Sequence, residues 1–239
     1  YHAKRCGIHM NIPKSVLSSG QYWFFIAFHN MALFNFEHSL EDEDTNLLGD
    51  IYQRVDVDYA KWMYLTDPTF TTQSNACCEG HPVEEVTNQQ RIACATAKYL
   101  SRYSHSPQRN CWINIDNPGR LEVRAFSSAT MKDRLIKNFQ FMEALLLYSD
   151  AVTYNYRSTD AGNGVQSNIL SAWNSLDDYL MACRMLDEDM FLRWYVMTGL
   201  DNKYTELTDF LHRTNHLDRI TAPINGDLND YLRTAVNYT

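Results

Sequence analysis

The chain lacks any apolar run long enough to cross a membrane. Its densest apolar stretches, residues 22–28 and 142–148, fall far short of the roughly 20 residues that a membrane-spanning helix needs. No positively charged segment leads into an apolar run near the first residue. The sequence therefore predicts a soluble protein without a membrane partner.

An excess of positive charge is also absent. The 239 residues carry 21 basic and 29 acidic side chains, a formal net charge of -8, and no run of Lys or Arg exceeds two neighbours. Because such a field repels a phosphate backbone, we do not expect nucleic acid as a partner.

The six cysteines lack the paired spacing of a disulfide or zinc framework. They lie at positions 6, 77, 78, 94, 111 and 183. This usage favours a reducing compartment and predicts a cytoplasmic protein. A weaker alternative is a zinc-stabilised binding module built on Cys77, Cys78 and His81, with Cys94 or Cys111 completing the ligands; adjacent cysteines rarely bind one ion together.

Several familiar site motifs are missing as well. The sequence has no Gly-rich phosphate loop, no Gly-x-Ser-x-Gly elbow and no dinucleotide-binding fingerprint. His212 and His216 are four residues apart on a predicted helix and could chelate a metal. Because the sequence lacks the Glu of a hydrolase motif here, we prefer to interpret the two histidines as part of an exposed helical face.

What the chain does contain is ample material for a core, with 45% apolar and 13% aromatic residues. The pattern predicts an α+β fold: a body over residues 1–150 with an antiparallel sheet and packed helices, and a helical region over 151–239 packed on it. The predicted body elements are a strand at 6–12, a buried helix within 22–36, a strand-like pattern from Tyr52 to Tyr59, a helix at 84–103, a hairpin of 111–115 with 121–126, and a helix capped by Thr130 with an apolar stripe of Leu135, Phe139, Met142 and Leu146. The predicted helical stretches of the tail are 169–197 and 204–217.

Two short strings carry the candidate chemistry. In Gly7-Ile8-His9-Met10-Asn11 and in Leu121-Glu122-Val123-Arg124, two polar residues stand at i and i+2 among apolar neighbours. In an extended strand this spacing places both on one face. If the two strands are neighbours, His, Asn, Glu and Arg share that face, a set suited to a divalent cation and a phosphate group.

Each string also has an ordinary interpretation. Glu122 and Arg124 could form a surface ion pair, a common and weak interaction. His9 could be a hydrogen-bonded structural histidine. The apolar flanks, together with Arg109, Asn114 and Arg120 around the same hairpin, favour a site.

At these residues the chain resembles the amidoligase family, which is related to glutamine synthetase and the glutamate-cysteine ligases. The resemblance rests on Gly-x-His-x-Asn, on Arg109 with Asn114, and on Leu-Glu-Val-Arg-Ala-Phe-Ser-Ser-Ala-Thr before a helix. It covers roughly residues 6–12 and 99–150. In that family a Gly-x-His-x-His string and a Glu-x-Arg string lie on adjacent antiparallel strands of a glutamine-synthetase-like sheet, which holds ATP and divalent metal.

The resemblance implies a role for each matching residue. His9 and Glu122 would bind Mg²⁺, and Arg124 would contact the γ-phosphate of ATP. Asn11 would stand near the nucleotide phosphates in place of the family's second His, with Asn114 beside it, and Arg109 would bind phosphate or the substrate carboxylate. The implied activity joins a small-molecule or peptide carboxylate to an amine through an acyl phosphate.

The chain departs from the family in one important respect. The family's Glu-x-Glu strand lies upstream of the Gly-x-His string, and only six residues precede Gly7 here. Either that strand belongs to a segment outside this chain, or the protein is a non-catalytic relative. The second alternative predicts a structural or accessory component of a larger assembly, for example a viral one, as a homo-oligomer or with a partner that covers Tyr22, Trp23 and Phe25.

Overall fold

A computed structural model describes residues 7–38, 46–53, 87–102, 112–128, 131–154 and 176–237. It is a mixed helix and strand structure, which confirms the α+β class. The described strands are β1 (Gly7–Pro13), β2 (Ile113–Asn114) and β3 (Arg120–Ser127), in an antiparallel sheet of order β1-β3-β2. The described helices are α1 (Ser19–His38), α2 (Leu47–Tyr52), α3 (Asn88–Arg102), α4 (Lys132–Val152), α5 (Leu176–Arg184), α6 (Glu188–Met197), α7 (Leu200–Lys203), α8 (Thr205–Arg213) and α9 (Gly226–Val236). Among these helices none has the length and apolar content to span a membrane.

Helix α1 is the centre of the core. Ser18 and Gln21 form a capping box at its start: the Gln21 N–H donates to Ser18 Oγ at 3.1 Å, and the Ser18 N–H donates to Gln21 Oε1 at 2.9 Å. Every residue from Tyr22 to Phe28 is buried. A helix that is apolar on all sides is buried on all sides, so the predicted buried helix is confirmed. Because Tyr22, Trp23 and Phe25 already lie in the core of their own chain, the predicted partner surface there is wrong.

A buried histidine connects α1 to α2. His29 Nδ1 donates to the Phe25 carbonyl oxygen at 2.6 Å, so Nε2 accepts from the Tyr52 hydroxyl. Burial lowers the pKa of His29 to about 4, and the ring is therefore neutral near pH 7. Tyr52 belongs to α2, so the predicted strand is wrong at that residue; residues 54–59 lie outside the described part of the chain.

Helix α4 packs against α1, α6, α8 and α9. Its buried face consists of Phe141, Ala144, Leu145, Tyr148 and Val152, among others. The predicted stripe is wrong at Phe139, which is 57% exposed, and Leu135 and Leu146 are only half-buried. The N-cap position is Met131, without a side-chain cap bond, and the predicted cap residue Thr130 lies outside the described residues.

The C-terminal helices share one hydrophobic core with the body. Residues 169–175 of the predicted stretch 169–197 lie outside the described residues, and the described remainder contains α5 and α6. The predicted stretch 204–217 contains α8, which ends at Arg213. The tail also contains α9, which the sequence pattern did not predict. Tyr148 of α4 donates to the Met185 carbonyl oxygen at 2.7 Å, a bond that joins body and tail in the core.

The cysteines fit the predicted reducing compartment less well. Cys94 on α3 is disulfide-bonded, which excludes it as the fourth ligand of a zinc site. Disulfides persist mainly in oxidising compartments, so this bond counts against a reducing environment. The other proposed zinc ligands, Cys77, Cys78, His81 and Cys111, lie outside the described residues.

A buried carboxyl group of α6 caps α2 from across the core. The Leu47 and Leu48 N–H groups donate to the two Glu188 carboxyl oxygens at 3.0 and 3.2 Å. Burial raises the pKa of Glu188 to about 7, although these two bonds and the nearby Arg219 oppose the shift.

This buried group predicts a specific pH dependence of stability. Between the ordinary carboxyl pKa and about 7, folded Glu188 holds a proton that the unfolded chain releases, so stability is lost as pH rises through this range. In the wild-type protein we expect the unfolding free energy to decline by on the order of 3 kcal/mol as pH rises through this range. The Glu188→Gln variant should lack this decline. Urea denaturation between pH 5 and 8 measures it, with the exposed Asp230→Asn variant as control. Equal slopes for wild type and Glu188→Gln would contradict this assignment.

Candidate functional site

The pairing of β1 with β3 brings the two predicted strings together. Met10 pairs with Val123 and Asn11 with Glu122, whereas Ile8 pairs with Phe126. Between these pairs His9 alone faces both Arg124 and Ala125, so β3 carries a bulge. The bulge explains why Ala125 and Phe126 are buried in succession, and such irregularities commonly redirect side chains beside functional sites.

The His9 imidazole contacts the Glu122 carboxylate across this strand pair. His9 Nδ1 lies 2.8 Å from Glu122 Oε1, and the two side chains are 37% and 16% exposed. Since a carboxylate can only accept, Nδ1 carries a proton in this contact. The sequence prediction that these two groups lie together on neighbouring strands agrees with this geometry.

Asn114 of β2 holds the other oxygen of the same carboxylate. Its Nδ2 donates to Glu122 Oε2 at 3.0 Å, while its Oδ1 accepts from the Asp116 N–H at 3.0 Å. Asn114 is buried and pairs with Glu122 in the strand register. Glu122 is therefore fixed between an imidazole on one edge and an amide on the other.

The remaining predicted residues are distributed around this group. Arg124 follows Glu122 by two positions on β3 and is half-buried, while the alternate residues Leu121 and Val123 enter the core. Asn11 is exposed and lies opposite Glu122. Arg109 is outside the described residues.

These residues offer an incomplete set of metal ligands. In the described part of the chain no group of three or more His, Cys, Asp or Glu side chains could hold a metal ion. Mg²⁺ commonly uses one or two carboxylates and takes its other ligands from water and substrate phosphates. Within the described residues the His9–Glu122 pair supplies one carboxylate and one imidazole.

A cleft of about 650 Å³ lies beside His9, between β1 and α4. His9, Asn11 and Gln21 contribute polar groups from one side, and Glu143 and Asp150 of α4 from the other. Between them lie apolar residues such as Met142. The cleft gives a small molecule access to the exposed edge of His9.

A second cavity, of about 780 Å³, lies where α4 begins and α8 ends. Arg134, Lys137 and Asn138 enter it from α4, and Arg213 enters it from α8. Sequence reasoning missed this site. The sequence signal for this cavity was the polar pair Lys137-Asn138 inside an apolar helical pattern. Such a pair also fits an ordinary exposed helical face.

His212 and His216 do not form the alternative metal-chelating pair, and the preferred interpretation of an exposed helical face is right only for His212. Helix α8 ends at Arg213, and Asn215 has a left-handed φ of 61°. His212 is exposed and lies 3.5 Å from Asp218, whereas His216 is fully buried and its Nε2 donates to Asp50 at 2.8 Å. The two imidazoles therefore have separate partners and do not share a helical face.

Comparison with protein-family models, with curated proteins and with solved structures found no match to this chain.

The contact between His9 and Glu122 predicts a measurable coupling. Because both side chains are partly exposed, a double-mutant cycle of His9→Ala and Glu122→Ala should give an interaction energy of roughly 0.5–1 kcal/mol near pH 7. Unfolding in urea provides the four free energies. Strict additivity would show that the contact contributes nothing in solution.

Proposed function

We propose that this chain is an ATP- and Mg²⁺-dependent carboxylate–amine ligase of the amidoligase type, or the part of one that carries the nucleotide phosphates. The observation that supports the proposal most directly is the 2.8 Å contact of His9 with Glu122 across paired antiparallel strands. The amidoligase resemblance implies this arrangement for residues far apart in sequence. A glutamine-synthetase-like sheet is part of the same proposal.

The charges on this face suit phosphoryl transfer. Glu122 and His9 would hold Mg²⁺, which would neutralise negative charge on the nucleotide phosphates. The Arg124 guanidinium, on the same face, would neutralise charge that builds on the transferred phosphoryl group. Asn114 would keep the carboxylate oriented while the cation binds.

The substrates would meet in the cleft between β1 and α4. A carboxylate attacks the γ-phosphate of ATP and forms an acyl phosphate with release of ADP; an amine then displaces phosphate and forms an amide. The half-buried site restricts water, which would otherwise hydrolyse the acyl phosphate. Glu143 and Asp150 would attract a protonated amine toward this cleft.

A second candidate function is a non-catalytic protein derived from the same architecture. It is favoured by the hydrogen bonds to both oxygens of Glu122, from His9 and Asn114, which stabilise the cluster without a cation. In this alternative the polar face is a structural element, and the protein serves as an accessory component or homo-oligomer.

Nucleotide titration separates the two candidates. Isothermal titration of ATP with Mg²⁺ should show saturable binding to wild type and at least tenfold weaker binding to Glu122→Gln, because the substitution removes the anionic ligand. Asp227→Asn is the matched control, since it neutralises an exposed carboxylate on α9 that pairs with Arg184 at the surface. Circular dichroism verifies that each variant is folded.

The outcomes assign the function. Loss of affinity in Glu122→Gln with unchanged affinity in Asp227→Asn supports the ligase. If folded wild-type protein binds no ATP with Mg²⁺, this chain is not a ligase by itself and the structural role replaces the proposal.

A further inference from the structure

The cavity between α4 and α8 is lined by a buried amine and by two arginines. Lys137 is 6% exposed, and its Nζ donates to the Ile51 carbonyl oxygen at 2.9 Å and lies 4.3 Å from the centre of the Phe210 ring. An ammonium group has three N–H donors. Its other two donors have no hydrogen-bond acceptor among the described residues.

Two arginines increase the positive potential at this amine. Burial, the largest cause, together with Arg134 and Arg213 lowers the pKa of Lys137 to about 8. The carboxylate that opposes them is Asp50, which already accepts a hydrogen bond from His216. The guanidinium of Arg134 forms no ion pair within the described chain.

The cavity wall also carries three carboxylates. Asp133, Glu206 and Asp209 also line the cavity, but Asp50 is the one carboxylate that raises the pKa of Lys137. Glu206 accepts from Gln140 at 2.7 Å and from the Thr205 hydroxyl at 3.0 Å. Arg134, Lys137 and Arg213 therefore share the cavity wall with three carboxylates, and Asp50 opposes the two arginines at the Lys137 amine.

A second and independent feature is an unsatisfied buried amide. Asn138 lines the same cavity, is 4% exposed, and its Oδ1 has no hydrogen-bond partner in the described structure. Leaving a buried acceptor unpaired costs about 1–3 kcal/mol. A ligand with a hydroxyl or N–H group next to its anionic end would satisfy this acceptor.

The N-terminus of α4 adds positive electrostatic potential at the same cavity. Met131, its N-cap residue, provides no side-chain cap, so the first N–H groups of a 21-residue helix have no side-chain acceptor at that position. Met131 lines the cavity together with Arg134. A helix N-terminus stabilises negative charge in its vicinity.

We propose that this cavity binds a small phosphorylated or carboxylated metabolite, with its anionic group held by Arg134, Lys137 and Arg213 and a neighbouring hydroxyl or N–H group donating to Asn138 Oδ1. The proposal does not depend on the ligase function, since none of these residues belongs to the face that carries His9 and Glu122. Phosphate and carboxylate present the same chemistry to this cluster, so the experiment distinguishes them.

The test uses three probes at equal ionic strength: inorganic phosphate, acetate and glycerol phosphate, with chloride as reference. Calorimetric titration of wild-type protein should show saturable binding of phosphate or acetate, which identifies the preferred anion. Glycerol phosphate should bind more tightly than phosphate, because its hydroxyls can donate to Asn138. Arg134→Gln and Arg213→Gln should each weaken binding about tenfold, as expected for loss of one charge-assisted contact of about 1.4 kcal/mol.

Matched variants keep the test specific. Arg233→Gln removes an exposed arginine of α9 that pairs at 3.9 Å with Asp230, and should leave anion affinity unchanged. Asn138→Leu removes the unsatisfied acceptor, so it should preserve the fold while abolishing the advantage of glycerol phosphate over phosphate. NMR titration of the Lys137 amine should show a higher pKa in the presence of the anion.

Any of three results would overturn the proposal. The first is that no probe binds more tightly than chloride to folded wild-type protein. The second is that Arg233→Gln weakens binding as much as Arg134→Gln does, which would indicate nonspecific surface attraction. The third is an unchanged Lys137 pKa at saturating anion.

Discussion

The pairing of β1 with β3 is the constraint on which the candidate site depends. Ile12, Leu121 and Val123 must enter the core, and this burial fixes the register of the two strands. A slip of one residue would turn every side chain of a strand to the other face, so the alternative registers are strongly disfavoured. The same register places His9 beside Glu122, although the two residues are far apart in the chain. Core packing thus determines the geometry of the polar face.

Helix α2 packs against β3, and helices α1 and α4 pack against each other. Their aromatic residues meet edge to face, as with Phe24 and Tyr148, whose ring centres are 5.6 Å apart. Buried polar groups connect the layers at defined points: His29 with Tyr52, and Glu188 with the first N–H groups of α2. Because such groups are costly when unpaired, each bond also selects one arrangement of its helices. Asn138 is an exception among them, and it faces a cavity with room for a ligand.

Local sequence patterns predicted those secondary-structure elements whose formation depends on residues close together in the sequence. The first strand, the buried helix α1 and the hairpin around residues 116–119 follow from alternation, from helical spacing and from turn chemistry. Phe139 was misassigned because α4 is covered by four helices, and a single stripe does not describe its broad buried face. His216 was misassigned because its helix ends at Arg213, before the fourth residue of the interval.

Features built from distant segments were not predictable from local patterns. Lys137 and Arg213 meet only because α4 and α8 pack together, and no spacing rule connects them. The Glu188 cap on α2 is a contact of the same kind. The contact of His9 with Glu122 could be anticipated only because the amidoligase resemblance supplied the strand pairing.

The most direct test of the account is a crystal structure with Mn²⁺ and a nonhydrolysable ATP analogue. We expect an anomalous peak at about 2.0–2.3 Å from a Glu122 carboxyl oxygen and a His9 ring nitrogen, with phosphate oxygens completing the coordination and Arg124 directed at the terminal phosphate. A structure in which His9 and Glu122 stay in direct contact, with neither metal nor nucleotide on this face, would contradict the central claim.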